Sequence, residues 1–356
     1  MFKLIAKAAG FLAYFFITLE MLFMVTPFAL YYYSIDRPLL AAPLSFPTTA
    51  WLPAFFLPHL SSEILPNIGN LICLLGLVGF VLSAFQLYRA KFTQHCVVED
   101  GFYKHIRHPQ YLFLGLAGLG LLITWPRFIL LIIYVNMLWF YYLLARSEER
   151  RMEARFGEVY HEQEQRTWMF LPWEPGGFLQ RRFFGWIHQR KTRLGATYVF
   201  SLIVAIGAAF LLRGLSLAVT SHTILENEKI AAISFVTMSE RDLRDMAASV
   251  ERLQELQTQK AEKRWILMQI MQGRGSAVHT LIDAGMTRRQ ASDLNLVRNG
   301  TKVVFSQQSE GFGQQPFGPR MRWRPVLMVE INEREASNKI VFERGWFSGN
   351  PVMPLF

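Results

Sequence analysis

Residues 68–87 read IGNLICLLGLVGFVLSAFQL, twenty consecutive positions without a charged side chain. At a rise of about 1.5 Å per residue they form a helix about 30 Å long, the thickness of a bilayer's hydrocarbon core. The rest of the composition agrees with that stretch. The chain has 356 residues, 52% hydrophobic and 18% charged, with a mean hydropathy of +0.20. A soluble domain has about a quarter of its residues charged, so a soluble protein is excluded. The apolar residues sit in long blocks before about residue 220, and an ordinary soluble composition follows.

Working outward, residues 8–33 are apolar except for Glu20 and end in Tyr31, Tyr32 and Tyr33. This block is too long and too aromatic for a cleaved signal peptide and reads as a first span. Residues 111–124 and 128–145 flank Trp125, Pro126 and Arg127 and read as a tight helical hairpin. A fifth span is expected within 195–220, where Arg213 is placed to snorkel to the far interface. The expected fold is an all-α polytopic membrane bundle of about five transmembrane helices, followed by an α+β soluble domain over 221–356. The membrane domain proper covers 1–194. Glu20 is costly in mid-membrane: it either serves the chemistry or is satisfied by a neighbouring helix.

The formal charge is +10, and it divides into 19 Lys+Arg against 12 Asp+Glu up to residue 220 and 18 against 15 beyond it. Lys3, Lys7, Arg89, Lys91, Lys104 and Arg107, and ten basic residues from Arg146 to Arg193, fall on one side of the spans. The other side carries Arg37 and Arg127. The positive-inside rule then puts the N-terminus and both basic loops in the cytosol and the C-terminal domain outside it. The basic aromatic stretch from Arg181 to Arg193 resembles a nucleic-acid patch, but beside a span it reads as an interfacial segment touching anionic lipid. No nucleic-acid partner is expected. The proline-rich loop 34–67, with its apolar stretch Trp51–Leu57, reads as an interfacial cap or a lip admitting lipid. Two cysteines, Cys73 and Cys96, make a disulfide framework or a cysteine-rich zinc site impossible.

The first cytosolic loop runs His95-Cys96-Val97-Val98-Glu99-Asp100-Gly101-Phe102-Tyr103, then Lys104-His105-Ile106-Arg107-His108-Pro109-Gln110-Tyr111. Pro109 suits the first position of a helix, where its missing N–H goes unused. The N–H groups of such a helix start, with Arg107 beside them, favour an anionic group. The second segment reads Arg146-Ser147-Glu148-Glu149-Arg150-Arg151-Met152-Glu153-Ala154-Arg155-Phe156-Gly157. Its paired carboxylates either face a cationic ligand or pair with arginines along a solvated face. His105-x-x-His108 is the one fragment resembling a di-iron histidine box, and such sites need several; no metal is expected.

The ordered set Gly101-x-Tyr103-x-x-x-Arg107-His108-Pro109-x-Tyr111, then Glu148-Glu149 and Phe156-Gly157-x-x-Tyr160, resembles the isoprenylcysteine carboxyl methyltransferase superfamily, which includes membrane phospholipid methyltransferases. The resemblance covers about 68–172. It implies an enzyme using S-adenosylmethionine as methyl donor, bound at the cytosolic end of the hairpin. It also implies a lipid or lipid-attached acceptor, carboxylate or amine, drawn from the membrane lipids. By position, His95, Cys96, Val97 and Val98 match the strip along the donor. Tyr103, His108, Pro109, Gln110 and Tyr111 match its Tyr and His-Pro-x-Tyr contacts. Glu148 matches the glutamate closing the pocket, with Glu149 beside it, and Arg107 and Glu148 are the candidate catalytic residues.

Those residue types suit the chemistry. Methyl transfer from a sulfonium is an in-line displacement governed by geometry and charge placement. Glu148 and the faces of Tyr103 and Tyr111 favour a cation, while Arg107, His108 and the helix start favour the donor's carboxylate. Two positions depart from the family on the acceptor side. Leu144 stands where the prenylcysteine enzymes carry an arginine, and Leu112 and Phe113 replace a small glycine. A rival reading is a non-catalytic membrane scaffold whose outer domain binds an extracytoplasmic protein.

In that outer domain Lys229–Val236 reads as a strand, and Ser239-x-x-Asp242 as a capping box opening a helix to about Gln272. Residues 279–294 read as a plain helical hairpin rather than a DNA-binding motif. Strands are expected at 301–307, 326–331 and 339–343.

Overall fold

The computed structural model describes residues 2–33, 48–49, 51–57, 64–93, 98, 100–172, 175–236, 238–249, 264–283, 286–296, 300–309, 315–332, 335–342 and 353–354. The chain divides into two compact units. One comprises Met1–Tyr33, Ile68–Leu122 and Ile132–Ala205; the other comprises Ser34–Asn67, Ile123–Leu131 and Ile206–Phe356. The loop 34–67 and the turn after residue 122 therefore group with the C-terminal unit rather than with the helical one.

Seven helices precede the first strand among the described residues: α1 Phe2–Tyr33, α2 Ile64–Thr93, α3 Pro109–Thr124, α4 Phe128–Phe156, α5 Glu158–Arg166, α6 Pro175–Phe184 and α7 Arg190–Val219. Leu65–Lys91, Phe128–Phe156 and Arg190–Val219 are long and apolar enough to cross a membrane, and Pro109–Thr124 is a shorter apolar helix. The chain is an integral membrane protein. α3 begins at Pro109, as its missing N–H favours.

Without a hydrophobic drive between helices in lipid, close backbone approach and polar bridges hold such bundles. A Cβ on Gly76 would stand 2.4 Å from the Ala117 nitrogen, and one on Gly120 would stand 2.4 Å from the Cys73 nitrogen. Glycine thus lets α2 and α3 meet backbone to backbone. The Tyr31 hydroxyl donates to the Gly118 carbonyl and the Tyr134 hydroxyl to the Gly115 carbonyl, each at 3.0 Å, tying α1 and α4 to α3. Trp139 Nε1 donates to Ser201 Oγ at 2.9 Å, and the Tyr198 hydroxyl to Asn136 Oδ1 at 2.8 Å, joining α7 to α4. The outer face of α2 exposes Leu74, Leu75, Val78, Val81 and Phe85, a surface suited to lipid.

In the second unit the apolar stretch 51–57 is turned inward: Ala54, Phe55 and Phe56 are buried. Phe56 N–H donates to the Pro126 carbonyl at 2.8 Å, and Phe128 N–H to the Ala54 carbonyl at 3.1 Å. This stretch is packed on the 126–129 turn and is not an open lip. Arg213 does not snorkel. It is buried, with Nη1 donating to the Phe55 carbonyl and Nη2 to the Phe317 carbonyl at 2.9 Å. Two carbonyl acceptors satisfy it where it stands.

The C-terminal sheet has seven strands among the described residues: β1 Ser221–Leu225, β2 Ile230–Ser234, β3 Ile266–Gln272, β4 Thr301–Gln308, β5 Arg322–Asn332, β6 Glu335–Val341 and β7 Met353–Pro354. They run in the order β1-β2-β3-β4-β5-β6, with β7 on β5. Only β2 and β3 pair in parallel. α8 Glu240–Ser249 lies in that crossover; α9 Arg274–Asp283 and α10 Arg288–Asp293 lie between β3 and β4. The α8 cap is the one read from the sequence, with Asp242 N–H donating to Ser239 Oγ at 3.1 Å.

The expected helix to Gln272 is overturned, because 266–272 is the strand β3. Its alternate residues enter two cores: Leu267 and Met271 pack with Ala277 and Leu281, and Ile266, Met268 and Ile270 pack with Leu243 and Ala247. A strand covered on both faces lacks the polar alternation that marks a strand in sequence.

Candidate functional site

The site grows from the loop between α2 and α3. Gly101 opens a short 3₁₀ turn, Gly101–Lys104, at φ +61°, and a Cβ there would stand 2.6 Å from the Gln86 amide. Only glycine meets both conditions. Gln86 Oε1 accepts from Phe102 N–H at 3.2 Å, which fixes the turn to α2. The Phe102 ring meets the Phe113 ring edge-on at 5.0 Å. Phe113 in turn fills the slot left by Gly79, where a Cβ would stand 2.4 Å from its ring. A glycine on α2 thus makes room for Phe113, which stands where the resemblance expects a small residue.

A second clamp comes from beyond α4. Gly157, at φ +51° and ψ −120°, a conformation natural to glycine, turns the chain into α5. The segment after α5 then lies along the His-Pro loop. Arg107 N–H donates to the Trp168 carbonyl at 2.8 Å, Trp168 N–H to the His105 carbonyl at 3.0 Å, and His108 N–H to the Met169 carbonyl at 3.2 Å. Gln163 Nε2 donates to the Val98 carbonyl at 2.8 Å.

The charged side chains form one buried network. Arg107 Nε meets Glu149 Oε1 at 2.9 Å, and Nη1 donates to the Thr167 carbonyl at 2.6 Å and the Glu164 carbonyl at 3.0 Å. Arg146 Nη1 donates to the other Glu149 oxygen at 2.9 Å. The ring nitrogens of His108 face Glu148 at 3.4 Å and Glu149 at 3.7 Å, distances of ion pairs rather than closed hydrogen bonds. Burial by itself would lower the imidazolium pKa; the two carboxylates outweigh it and hold His108 above its ordinary value. The Tyr111 hydroxyl donates to Glu148, and its ring stacks on Tyr141 at 5.1 Å. The Tyr103 hydroxyl donates to Gln110 Oε1 at 2.9 Å, and burial raises its pKa, so it stays a donor.

Beside this network lies a cavity of about 460 Å³. Val98, Tyr103, Arg107, His108, Gln110 and Glu148 border it, all read from the sequence as site residues. Pro109 and Tyr111 stand behind them, buried at the start of α3, and Glu149 is the node that binds Arg107 and Arg146. His95, Cys96 and Val97 lie outside the described residues. Arg107 borders the cavity with a guanidinium already engaged by a carboxylate and two carbonyls.

Glu20 of α1, singled out in the sequence as either serving the chemistry or satisfied by a neighbouring helix, borders the cavity, and Lys91 of α2 holds its two oxygens at 2.6 and 2.7 Å. The charge in an apolar block was the available signal, but its partner lies 71 positions away. Arg151, Met152, Arg155 and Gln163 complete the wall with Phe156 and Tyr160. Among the described residues no group of three His, Cys, Asp or Glu is arranged to hold a metal ion.

A wall that brings carboxylate, phenol, imidazole and guanidinium groups together with apolar Leu87 and Met152 suits a small ligand with both polar and apolar parts. Residues 65–154 match the model of the isoprenylcysteine carboxyl methyltransferase (ICMT) family. The matched segment contains Tyr103, His108 and Glu148, while Tyr160, Gln163 and the sheet unit lie beyond it. No curated protein and no solved structure matches the chain.

Proposed function

We propose that this chain is an integral membrane methyltransferase that takes its methyl group from S-adenosylmethionine and passes it to a lipid or lipid-attached acceptor at the cytosolic membrane face. One observation carries the reading. Residues of the family-matched segment that are far apart in sequence, Val98, Tyr103, His108, Gln110 and Glu148, border a single cavity. The cavity falls in the ~300–1,000 Å³ range of small-molecule sites.

When bound, S-adenosylmethionine supplies an electrophilic methyl group on a sulfonium. The chain's own residues hold and orient the two reactants. Glu148 offers the cavity a carboxylate held by Tyr111 and His108, and Tyr103 offers an aromatic face beside it. Arg107, on the wall, and Glu149, behind it, act as positioning residues, locking the His-Pro loop against 164–169. His95, Cys96 and Val97 are proposed to run along the donor. The acceptor is a carboxylate or an amine, and an amine must lose a proton at the methyl-transfer site.

The membrane arrangement belongs to the same proposal. α1 and α3 join α2, α4 and α7 as spans, α3 and α4 form the hairpin, and the basic loops face the cytosol with the sheet unit outside it.

Calorimetric titration of the detergent-solubilised full chain with S-adenosylmethionine and S-adenosylhomocysteine tests the donor site. Wild type binds, and Glu148→Ala loses at least two orders of magnitude in affinity and in labelled-methyl transfer to native membranes, about 2.7 kcal/mol or more. No binding by wild type, or equal binding by Glu148→Ala and His108→Ala, sinks the proposal. The labelled product identifies the acceptor.

A further inference from the structure

Among the described residues, the Lys and Arg side chains that border the cavity are Lys91, Arg107, Arg151 and Arg155. Two are occupied. Lys91 holds both oxygens of Glu20, and Arg107 is bound by Glu149 and the carbonyls of Glu164 and Thr167. His108, whose backbone N–H is given to the Met169 carbonyl, turns its ring nitrogens to Glu148 and Glu149. The groups that the sequence suggests for an anion are therefore largely committed within the fold.

Arg151 and Arg155 differ. Both are exposed and both stand on the cavity wall; among the described residues neither makes a hydrogen bond or a close ion pair, although the Glu148 carboxylate attracts Arg151 at longer range. They lie one turn apart on α4, a spacing at which like charges weaken a helix. Arg155 lies over the Phe156 ring at 5.2 Å, which orients its planar group. Two guanidinium groups on one wall, kept at a cost to the helix, match the geometry of an oxyanion.

We propose that Arg151 and Arg155 form an oxyanion subsite gripping a carboxylate or phosphate carried by the cavity's ligand. The proposal rests on the reading of this cavity as a ligand site. The same chemistry could come from the donor's carboxylate or from the phosphate of a lipid acceptor, and the test separates them.

Binding of three probes to the solubilised full chain is measured by calorimetry: S-adenosylhomocysteine, its decarboxylated analogue, and dihexanoyl phosphatidate. Wild type is compared with R151Q/R155Q, and with R150Q, whose exposed arginine does not border the cavity. Thermal unfolding checks that each variant is folded. If the donor's carboxylate is held, the double variant weakens S-adenosylhomocysteine more than fivefold and leaves its decarboxylated analogue unchanged. If a lipid phosphate is held, phosphatidate weakens more than fivefold instead. Either result supports the subsite. A loss of fivefold or less for both anionic probes, or an equal loss in R150Q, overturns it. Wild type binding phosphatidate but not S-adenosylhomocysteine defeats the donor reading and leaves the subsite standing. Wild type binding neither defeats both.

Discussion

Both units of this protein bury charge, and they use it differently. In the helical unit Arg107, His108, Glu148 and Glu149 form a network with one side on a cavity. In the sheet unit Lys302 and Glu330 are register partners on β4 and β5, 3.7 Å apart, fully buried and 3% exposed. Lys302 Nζ also donates to the Gly300 carbonyl at 3.1 Å. Neither Lys302 nor Glu330 borders the cavity described above. Burial of charge therefore does not mark a site by itself. What distinguishes the helical network is open space on one side, bordered by carboxylate, phenol and guanidinium groups.

Substitutions can break that comparison. The largest expected effect comes from removing one member of either pair, which strands a buried charge. Glu149→Ala and Lys302→Met are each expected to cost about 3–5 kcal/mol, read as lower unfolding midpoints in detergent. The double variants separate the units. Lys302→Met with Glu330→Leu should return to within about 1 kcal/mol of wild type or exceed it, since a buried pair replaced by apolar groups is often neutral. Arg107→Met with Glu149→Leu should not recover, because Arg107 also satisfies the Glu164 and Thr167 carbonyls. Recovery in both units, or in neither, removes the distinction.

A smaller loss is expected at Gly101→Ala. The left-handed φ costs about 1–2 kcal/mol. The collision with Gln86 adds to it. Donor-product affinity should fall with stability, because the turn carries Tyr103; a variant as stable and as tight as wild type rejects the tight-turn account.

The finest test is titration of His108. Its folded pKa is raised by Glu148 and Glu149 against burial. The stability it contributes is fully present below the unfolded histidine value of about 6.5 and is lost as pH rises through the folded value. The unfolding midpoint should therefore decline over that alkaline-going window in wild type and not in His108→Gln. A wild-type midpoint that rises there, or an identical decline in the variant, contradicts the two-carboxylate environment.

Much of this was legible along the chain, and the reason is local. Apolar blocks, Pro109 at the start of α3 and the Ser239–Asp242 cap depend on neighbours within one or two helical turns. The resemblance motif contains Tyr103, Arg107, His108, Glu148, Phe156 and Tyr160 of the cavity border because each short piece of it carries its own spacing. β3 was misread because apolar cores cover both its faces, one with Ala277 and Leu281 and the other with Leu243 and Ala247.

By itself, the sequence determined the membrane class, the long apolar helices and the family-like segment. Those follow from hydropathy, turn chemistry and short-range spacing. Only the tertiary structure decided which charges are spent and which remain. Glu20 finds Lys91 and Arg107 finds Glu149 and Thr167 across 71, 42 and 60 positions. Pairing at that range is set by packing, which neither hydropathy nor short-range spacing records.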